Sequence, residues 1–203
     1  VYENEVNLGD YPNRNKAASY AKGKYLKYID ADDYIYPWGL AILVQCMEQF
    51  PESGWGFCSL DQNMEKPYPF QMSPTEAYEA EYFGRGLLNK APLSAIIKRE
   101  FFEAAGGFSG KQYLGDFELW HILAVRYPLV LMPQGIVWYR MHDEQQSNDN
   151  RTNPIVPFKY ILLSLQLFRC NNEIPLSADK KNAAESKIVS RIRRIILRSV
   201  VEC

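Results

Sequence analysis

Residues 24–33 read Lys-Tyr-Leu-Lys-Tyr-Ile-Asp-Ala-Asp-Asp, and no other stretch of the chain restricts its fold as much. Apolar, β-prone Tyr25, Leu26, Tyr28 and Ile29 run directly into Asp30, Asp32 and Asp33. The pattern predicts a strand over 24–30 that ends in a cluster of carboxylates. Like charges this close repel one another, so a fold that gathers them at a strand end commonly places a cation there. Hard divalent ions such as Mg²⁺ and Mn²⁺ take oxygen ligands, often one or two carboxylates plus substrate phosphates. Open strand ends are also where α/β sheets bind ligands. The plainer alternative is a solvated acidic turn. A calcium loop does not fit, because its required Gly and Glu positions hold Ile35 and Ala41. An aspartyl-phosphate site usually continues Asp-x-Asp with Gly or Thr, where this chain has Asp33-Tyr34. A metal-dependent phosphohydrolase is therefore the third reading.

Periodicity and turn residues predict an α/β layer architecture. A helix is expected over 37–50 and a strand over 55–60. An irregular stretch over 61–73 carries Pro67 and Pro69. Helical turns follow over 74–88, then a strand over 94–98 and a helix over 99–105 stopped by Gly106-Gly107. Asp116 stands at the start of a helix running to Arg126, and a β segment over 129–140 is broken by Pro133 and Gly135. Residues 1–147 read as the α/β part. Residues 148–203 read as a linker followed by helices over 157–170 and 177–202.

Four segments in order resemble family 2 glycosyltransferases, inverting enzymes of the GT-A fold. The first runs from Asn7-Leu8-Gly9 through Asn13-Arg14-Asn15 and the acidic cluster to Pro37. The others are Gly106-Gly107-Phe108, similar to the family's acceptor-side loop, Asp116-Phe117-Glu118-Leu119-Trp120, and Tyr139-Arg140-Met141-His142. The resemblance implies a partial GT-A sheet with a C-terminal helical extension, lacking the N-terminal nucleoside-binding strands, so that an exposed sheet edge could favour a homodimer. It implies Asp30, Asp32 and Asp33 at the metal, with Mn²⁺ or Mg²⁺ as cofactor. Asp30, Arg14, Arg140 and His142 would meet the donor diphosphate. Gly106, Gly107, Trp120 and Glu118 would meet the acceptor, and Asp116 would be the catalytic base. The family's Glu before that base is Gly115 here.

The implied partners are a nucleotide-diphospho-sugar donor and a glycan or lipid-linked acceptor, in bacterial cell-surface polysaccharide synthesis. The implied location is the cytoplasm, with peripheral attachment to the inner membrane as an option. An inactive remnant that binds glycan or protein is the alternative.

Single residues also have plainer readings. Asp116 could simply cap its helix, as Asp does well, with Glu118 as the fallback base. Trp38, Trp120 and Trp138 could stack on sugars, although core packing is the default for each. His121, in mid-helix, reads as structural.

Composition narrows the classes. A net charge of −1 gives no long-range attraction for nucleic acid. Cys46, Cys58, Cys170 and Cys203 form no Cys-x-x-Cys pair, which points away from zinc and from a disulfide framework. No apolar run of about 18 residues is present to span a membrane. The last helix combines Ile188, Ile192, Ile195, Ile196 and Val200 with Arg191, Arg194 and Arg198. It reads as a packing helix, with surface attachment to a membrane as the second option.

Overall fold

The computed structural model describes residues 2–141, 153 and 155–201, with side chains through 197. The chain divides into two compact units, Val1–Pro74 with Leu88–Arg140, and Thr75–Leu87 with Met141–Cys203.

The first unit is built on a five-stranded mixed sheet. Its strands are β1 (Tyr25–Leu26), β3 (Trp55–Phe57), β4 (Phe70–Met72), β5 (Ala95–Lys98) and β6 (Leu129–Leu131), in spatial order β1-β5-β3-β6-β4. Only β3 and β6 are parallel, with Trp55 opposite Leu129 and Phe57 opposite Leu131. The central strand shows why this sequence makes a layered fold. Trp55 and Phe57 turn one way onto Trp120, at ring-centroid distances of 5.6 and 5.3 Å. Gly56 turns the other way, where a Cβ would lie 2.2 Å from Met132 and 2.9 Å from Met47. Alternation along the strand thus serves two helices. Helix α2 (Gly39–Glu48) fills the glycine side with Leu43, Cys46 and Met47. Helix α5 (Gly115–Arg126) covers the aromatic side with Phe117, Leu119, Trp120, Leu123 and Ala124. A smaller antiparallel ribbon pairs β2 (Tyr34–Ile35) with β7 (Val137–Trp138), with Tyr34 opposite Trp138. Its Ile35 and Val137 pack on the α2 core, while Tyr34 and Trp138 are exposed.

The second unit holds α3 (Pro74–Tyr82), α6 (Ile155–Cys170) and α7 (Ala178–Val201), with α4 (Arg99–Ala104) belonging to the first. Tyr82 meets Phe168 edge-on at 4.6 Å, and Arg169 Nε pairs with Glu185 Oε1 at 2.8 Å. Ala184 and Ile188 of α7 are buried, whereas Ile196 and Leu197 further along the helix are exposed. Among the described residues, no helix is long and apolar enough to cross a membrane.

Several expectations are corrected. The strand expected over 24–30 keeps a ladder only at Tyr25 and Leu26. Beyond them the Lys27 ammonium, rather than its backbone, reaches the carbonyls of Leu93 and Ala95. The acidic cluster therefore lies in a turn between β1 and β2. The stretch expected to be irregular over 61–73 contains β4, an edge strand paired to β6. The helix expected over 74–88 stops at Tyr82, and residues 75–87 group with the C-terminal helices. The segment over 129–140 splits into β6 and β7, which sit in different sheets. Most of the expected linker lies outside the described residues. Cys46 and Cys58 are buried thiols, as their apolar surroundings in the sequence suggest.

Candidate active site

The organising element is α1 (Asp10–Ser19), which the sequence starts with a local turn: the Gly9 N–H donates to Asn7 Oδ1 at 2.8 Å, and Gly9 takes φ 77°. Tyr11, Arg14 and Asn15 stand at i, i+3 and i+4, the spacing that puts side chains on one helix face. Each reaches a different functional segment far along the chain.

Arg14 reaches the acidic turn. Its Nη1 and Nη2 each lie 2.8 Å from one oxygen of Asp30, while Nε lies 2.6 Å from Asp10 Oδ1. This planar two-pronged pairing is what a guanidinium does best with a carboxylate. Arg14 was expected at the donor phosphates; the structure has its fork engaged by Asp30 instead. The turn closes with the Asp33 N–H donating to Asp30 O at 3.1 Å, so the acidic cluster is indeed a turn. Its carboxylates still act on one another: burial first, then the charges of Asp32 and Asp30, push the Asp33 carboxyl above its ordinary range. The backbone N–H of Arg140 donates to Asp33 Oδ1 at 3.1 Å, tying the end of β7 to this turn. His142 lies outside the described residues.

With Asp30 committed to Arg14, Asp32 and Asp33 are the carboxylates suited to a metal. Among the described residues, no group of three or more His, Cys, Asp or Glu side chains is arranged to hold one alone. A hard ion bound chiefly through substrate phosphates needs only one or two carboxylates, so the oxygen donors present fit Mg²⁺ or Mn²⁺ arriving with a diphosphate.

Asn15 reaches the glycine loop. Its Nδ2 donates to Phe108 O at 2.8 Å and its Oδ1 accepts the Phe108 N–H at 3.0 Å. Gly106 and Gly107 take φ 81° and 70°, left-handed values that glycine adopts without strain. A Cβ on Gly107 would lie 2.7 Å from Asn15 Oδ1. Both glycine N–H groups donate into the end of α4, to Glu103 O and Phe102 O at 3.0 Å. The idea that these amides approach a sugar is thereby corrected: they close a helix.

Tyr11 reaches Asp116. Its hydroxyl donates to Asp116 Oδ1 at 3.2 Å, and the Phe117 N–H donates to the same oxygen at 2.7 Å. Burial raises the Asp116 carboxyl from the ordinary 3.8 to about 6, despite these two donors, which favour its charged form. A carboxyl poised this close to neutrality suits proton transfer. Two residues on, Glu118 is almost fully buried, with Oε1 2.5 Å from Lys111 Nζ. Its Oε2 is buried and finds no hydrogen-bond partner among the described residues.

Trp120 is corrected outright. It is 0% exposed, stacks on Trp55, and donates its indole N–H to Lys90 O at 2.7 Å, so no surface remains for an acceptor. His121 is buried with Nδ1 2.8 Å from Phe117 O, a structural position as expected. Trp38 and Trp138 are 52% and 51% exposed. The sequence reading missed Tyr11, Asn15 and Lys111. Only the spacing of Tyr11 and Asn15 around Arg14 signals the first two.

A family model for glycosyl transferase family 2 matches residues 1–106. The chain belongs to glycosyl transferase family 2. That match contains α1, the acidic turn and Gly106; Asp116 lies beyond it. No curated protein matches the sequence. Solved structures of TarS from S. aureus share the fold. TarS 1–349 in complex with UDP-GlcNAc superposes with a TM-score of 0.63 at 14% identity, over 90% of this chain and 52% of that one. TarS 1–349 alone gives 0.62 at 15% identity, over 92% and 52%. The larger TarS structure gives 0.57 at 13% identity, over 89% and 30%. This chain thus spans about half the length of TarS 1–349. At such identities the likeness establishes the GT-A-like α/β fold with its C-terminal helical part.

Proposed function

We propose that this protein transfers a sugar from a nucleotide-diphospho-sugar to an acceptor hydroxyl with inversion, with Asp116 as the base. The observation that carries the reading is the Asp116 carboxyl, held by Tyr11 and the Phe117 N–H and raised by burial to about 6. It stands in a family 2 chain whose helix α1 also grips the acidic turn. In one displacement the acceptor O–H gives its proton to Asp116, and the acceptor oxygen bonds the anomeric carbon. The bond from that carbon to the diphosphate oxygen breaks, and the nucleoside diphosphate departs with the electron pair. Mn²⁺ or Mg²⁺ held by Asp32 and Asp33 would neutralise charge on the departing diphosphate. Arg14 keeps Asp30 oriented, and the backbone of Arg140 keeps Asp33 oriented, so the turn would present its carboxylates to an ion in a fixed shape. Glu118 Oε2, without a hydrogen-bond partner among the described residues, would accept one from an acceptor hydroxyl, removing the cost of a buried atom left unpaired.

UDP-GlcNAc, the ligand of the TarS neighbour, is the first donor to assay, and a bacterial surface glycan or its lipid-linked precursor is the first acceptor class. The assay is nucleoside diphosphate release with Mn²⁺, comparing the parent with Asp116→Asn. Release by the parent that is abolished in the variant supports the reading. Glycan binding without release by either would favour the inactive binding module.

A further inference from the structure

Gly115 directly precedes Asp116, and the structure shows what occupies the space beside it. A Cβ on Gly115 would lie 2.8 Å from Cδ2 and Cε2 of Tyr11 and 2.9 Å from its Cζ. The tyrosine ring therefore rests directly on the glycine, and any side chain at 115 would displace it. The ring is 5% exposed and is held on another side by Phe108 at a centroid distance of 5.2 Å. Its rigid seat puts the hydroxyl 3.2 Å from Asp116 Oδ1, the same oxygen that takes the Phe117 N–H. Among the described residues, the two hydrogen bonds that Asp116 receives from other residues thus land on one oxygen. A carboxylate pinned in this way has its orientation set and its second oxygen directed elsewhere.

We propose that Tyr11 and Gly115 act as a pair that positions the base: the missing side chain at 115 admits the tyrosine ring, and the ring pins Asp116 Oδ1, so that Oδ2 receives the acceptor proton. The pair deepens the assignment of Asp116 as base and rests on it. Among the described residues, Tyr11 and Asp10, both from α1, are the charged or titratable groups whose influence on Asp116 is largest. Asp10 opposes ionisation of Asp116, whereas the tyrosine hydroxyl favours it. Tyr11 is a positioning residue, since it acts through Asp116.

The test is a ¹³C-carboxyl titration of the full chain labelled at aspartate, with the Asp116 resonance identified by its loss in Asp116→Asn. Tyr11→Phe keeps the ring on Gly115 and removes only the donor. Its Asp116 midpoint should rise by about half a unit to one unit, the span of one ordinary hydrogen bond. Gly115→Ala should raise the midpoint similarly by pushing the ring away, and the double variant should show no further rise. With UDP-GlcNAc and Mn²⁺, the acid limb of the Tyr11→Phe turnover profile should move to higher pH by the same amount, with donor KM unchanged. A midpoint unmoved in Tyr11→Phe overturns the pair, as does full additivity in the double variant. If Gly115→Ala does not fold, Tyr11→Phe decides alone. Retained turnover in Asp116→Asn would instead overturn the base assignment, while leaving the hydroxyl–carboxylate contact measurable in the same titration.

Discussion

The acidic turn and the start of α5 use the same carboxylate chemistry in opposite ways. At the turn, Asp30 is paired to an arginine fork and Asp32 and Asp33 crowd it, so negative charge is concentrated and partly wet. At α5, Asp116 stands among Tyr11, Phe117 and the backbone, and burial is the main influence on it. Concentrated charge suits an ion and a diphosphate, whereas a half-buried carboxyl outside such a cluster suits a proton. Separate environments for chemically identical groups are how one fold divides electrostatic and acid–base work.

The sharpest way to break this contrast is Asp116→Asn, which should lower turnover by roughly 10²–10⁴-fold with donor affinity nearly unchanged. Glu118→Gln should be far milder, because Glu118 is paired through Oε1 with Lys111 and does not handle the transferred proton. Steady-state kinetics with UDP-GlcNAc and Mn²⁺ would read both. A loss of donor affinity at constant turnover in Asp116→Asn would move that residue to the binding shell and erase the contrast.

A second test reads the same half-buried carboxyl through stability. The folded-state value of about 6 exceeds the ordinary 3.8, so between them the folded chain holds a proton that the unfolded chain has released. The stability this confers is complete below pH 3.8 and is lost as pH rises through about 6. Asp116→Asn should therefore be more stable than the parent at pH 7–8, by about 1–3 kcal/mol, and no more stable near pH 4. Denaturant unfolding at the two pH values checks this, and an equal difference at both would refute the burial account.

At the turn, Asp32→Ala and Asp33→Ala should each weaken Mn²⁺–UDP binding by about tenfold, as loss of a ligand or its close support does. Calorimetric titration measures it. Parent-like binding in both variants would leave the turn without a cation role.

The smallest effect separates the two glycines of the α4 exit. Gly106→Ala meets nothing within 4 Å and should cost about 1–2 kcal/mol for its left-handed backbone alone. Gly107→Ala adds a collision with Asn15 and should cost more, in thermal unfolding of both variants.

What the sequence reveals follows from the range of the interactions involved. The Trp55-Gly56-Phe57 strand, helix α2 and the start of α5 beside Asp116 are legible because local periodicity and turn residues set them. The edge strand β4 is not, since Phe70, Gln71 and Met72 follow a proline-rich stretch and gain their conformation only by pairing with β6. The acidic turn is visible as a cluster, but its commitment of Asp30 to Arg14 is a tertiary fact. Tyr11 and Asn15 find their partners 105 and 93 residues away, beyond the reach of any local pattern. Trp120 illustrates the converse difficulty: a tryptophan in a motif serves a sugar or a core equally well until its burial is known.

The chain's four tryptophans fall into two optical classes. Trp55 and Trp120 lie nearly parallel, 9° apart and fully enclosed, an arrangement that couples transitions and favours blue-shifted emission. Trp38 and Trp138 are half exposed near the ribbon that leaves the acidic turn, where water lowers the energy of their emission and a dissolved quencher can reach them. Near-ultraviolet dichroism therefore follows the inner pair and the integrity of the sheet, while acrylamide accessibility follows the outer pair. The native protein carries, without any label, one signal for the inner sheet and another for the surroundings of the ribbon that pairs Tyr34 with Trp138.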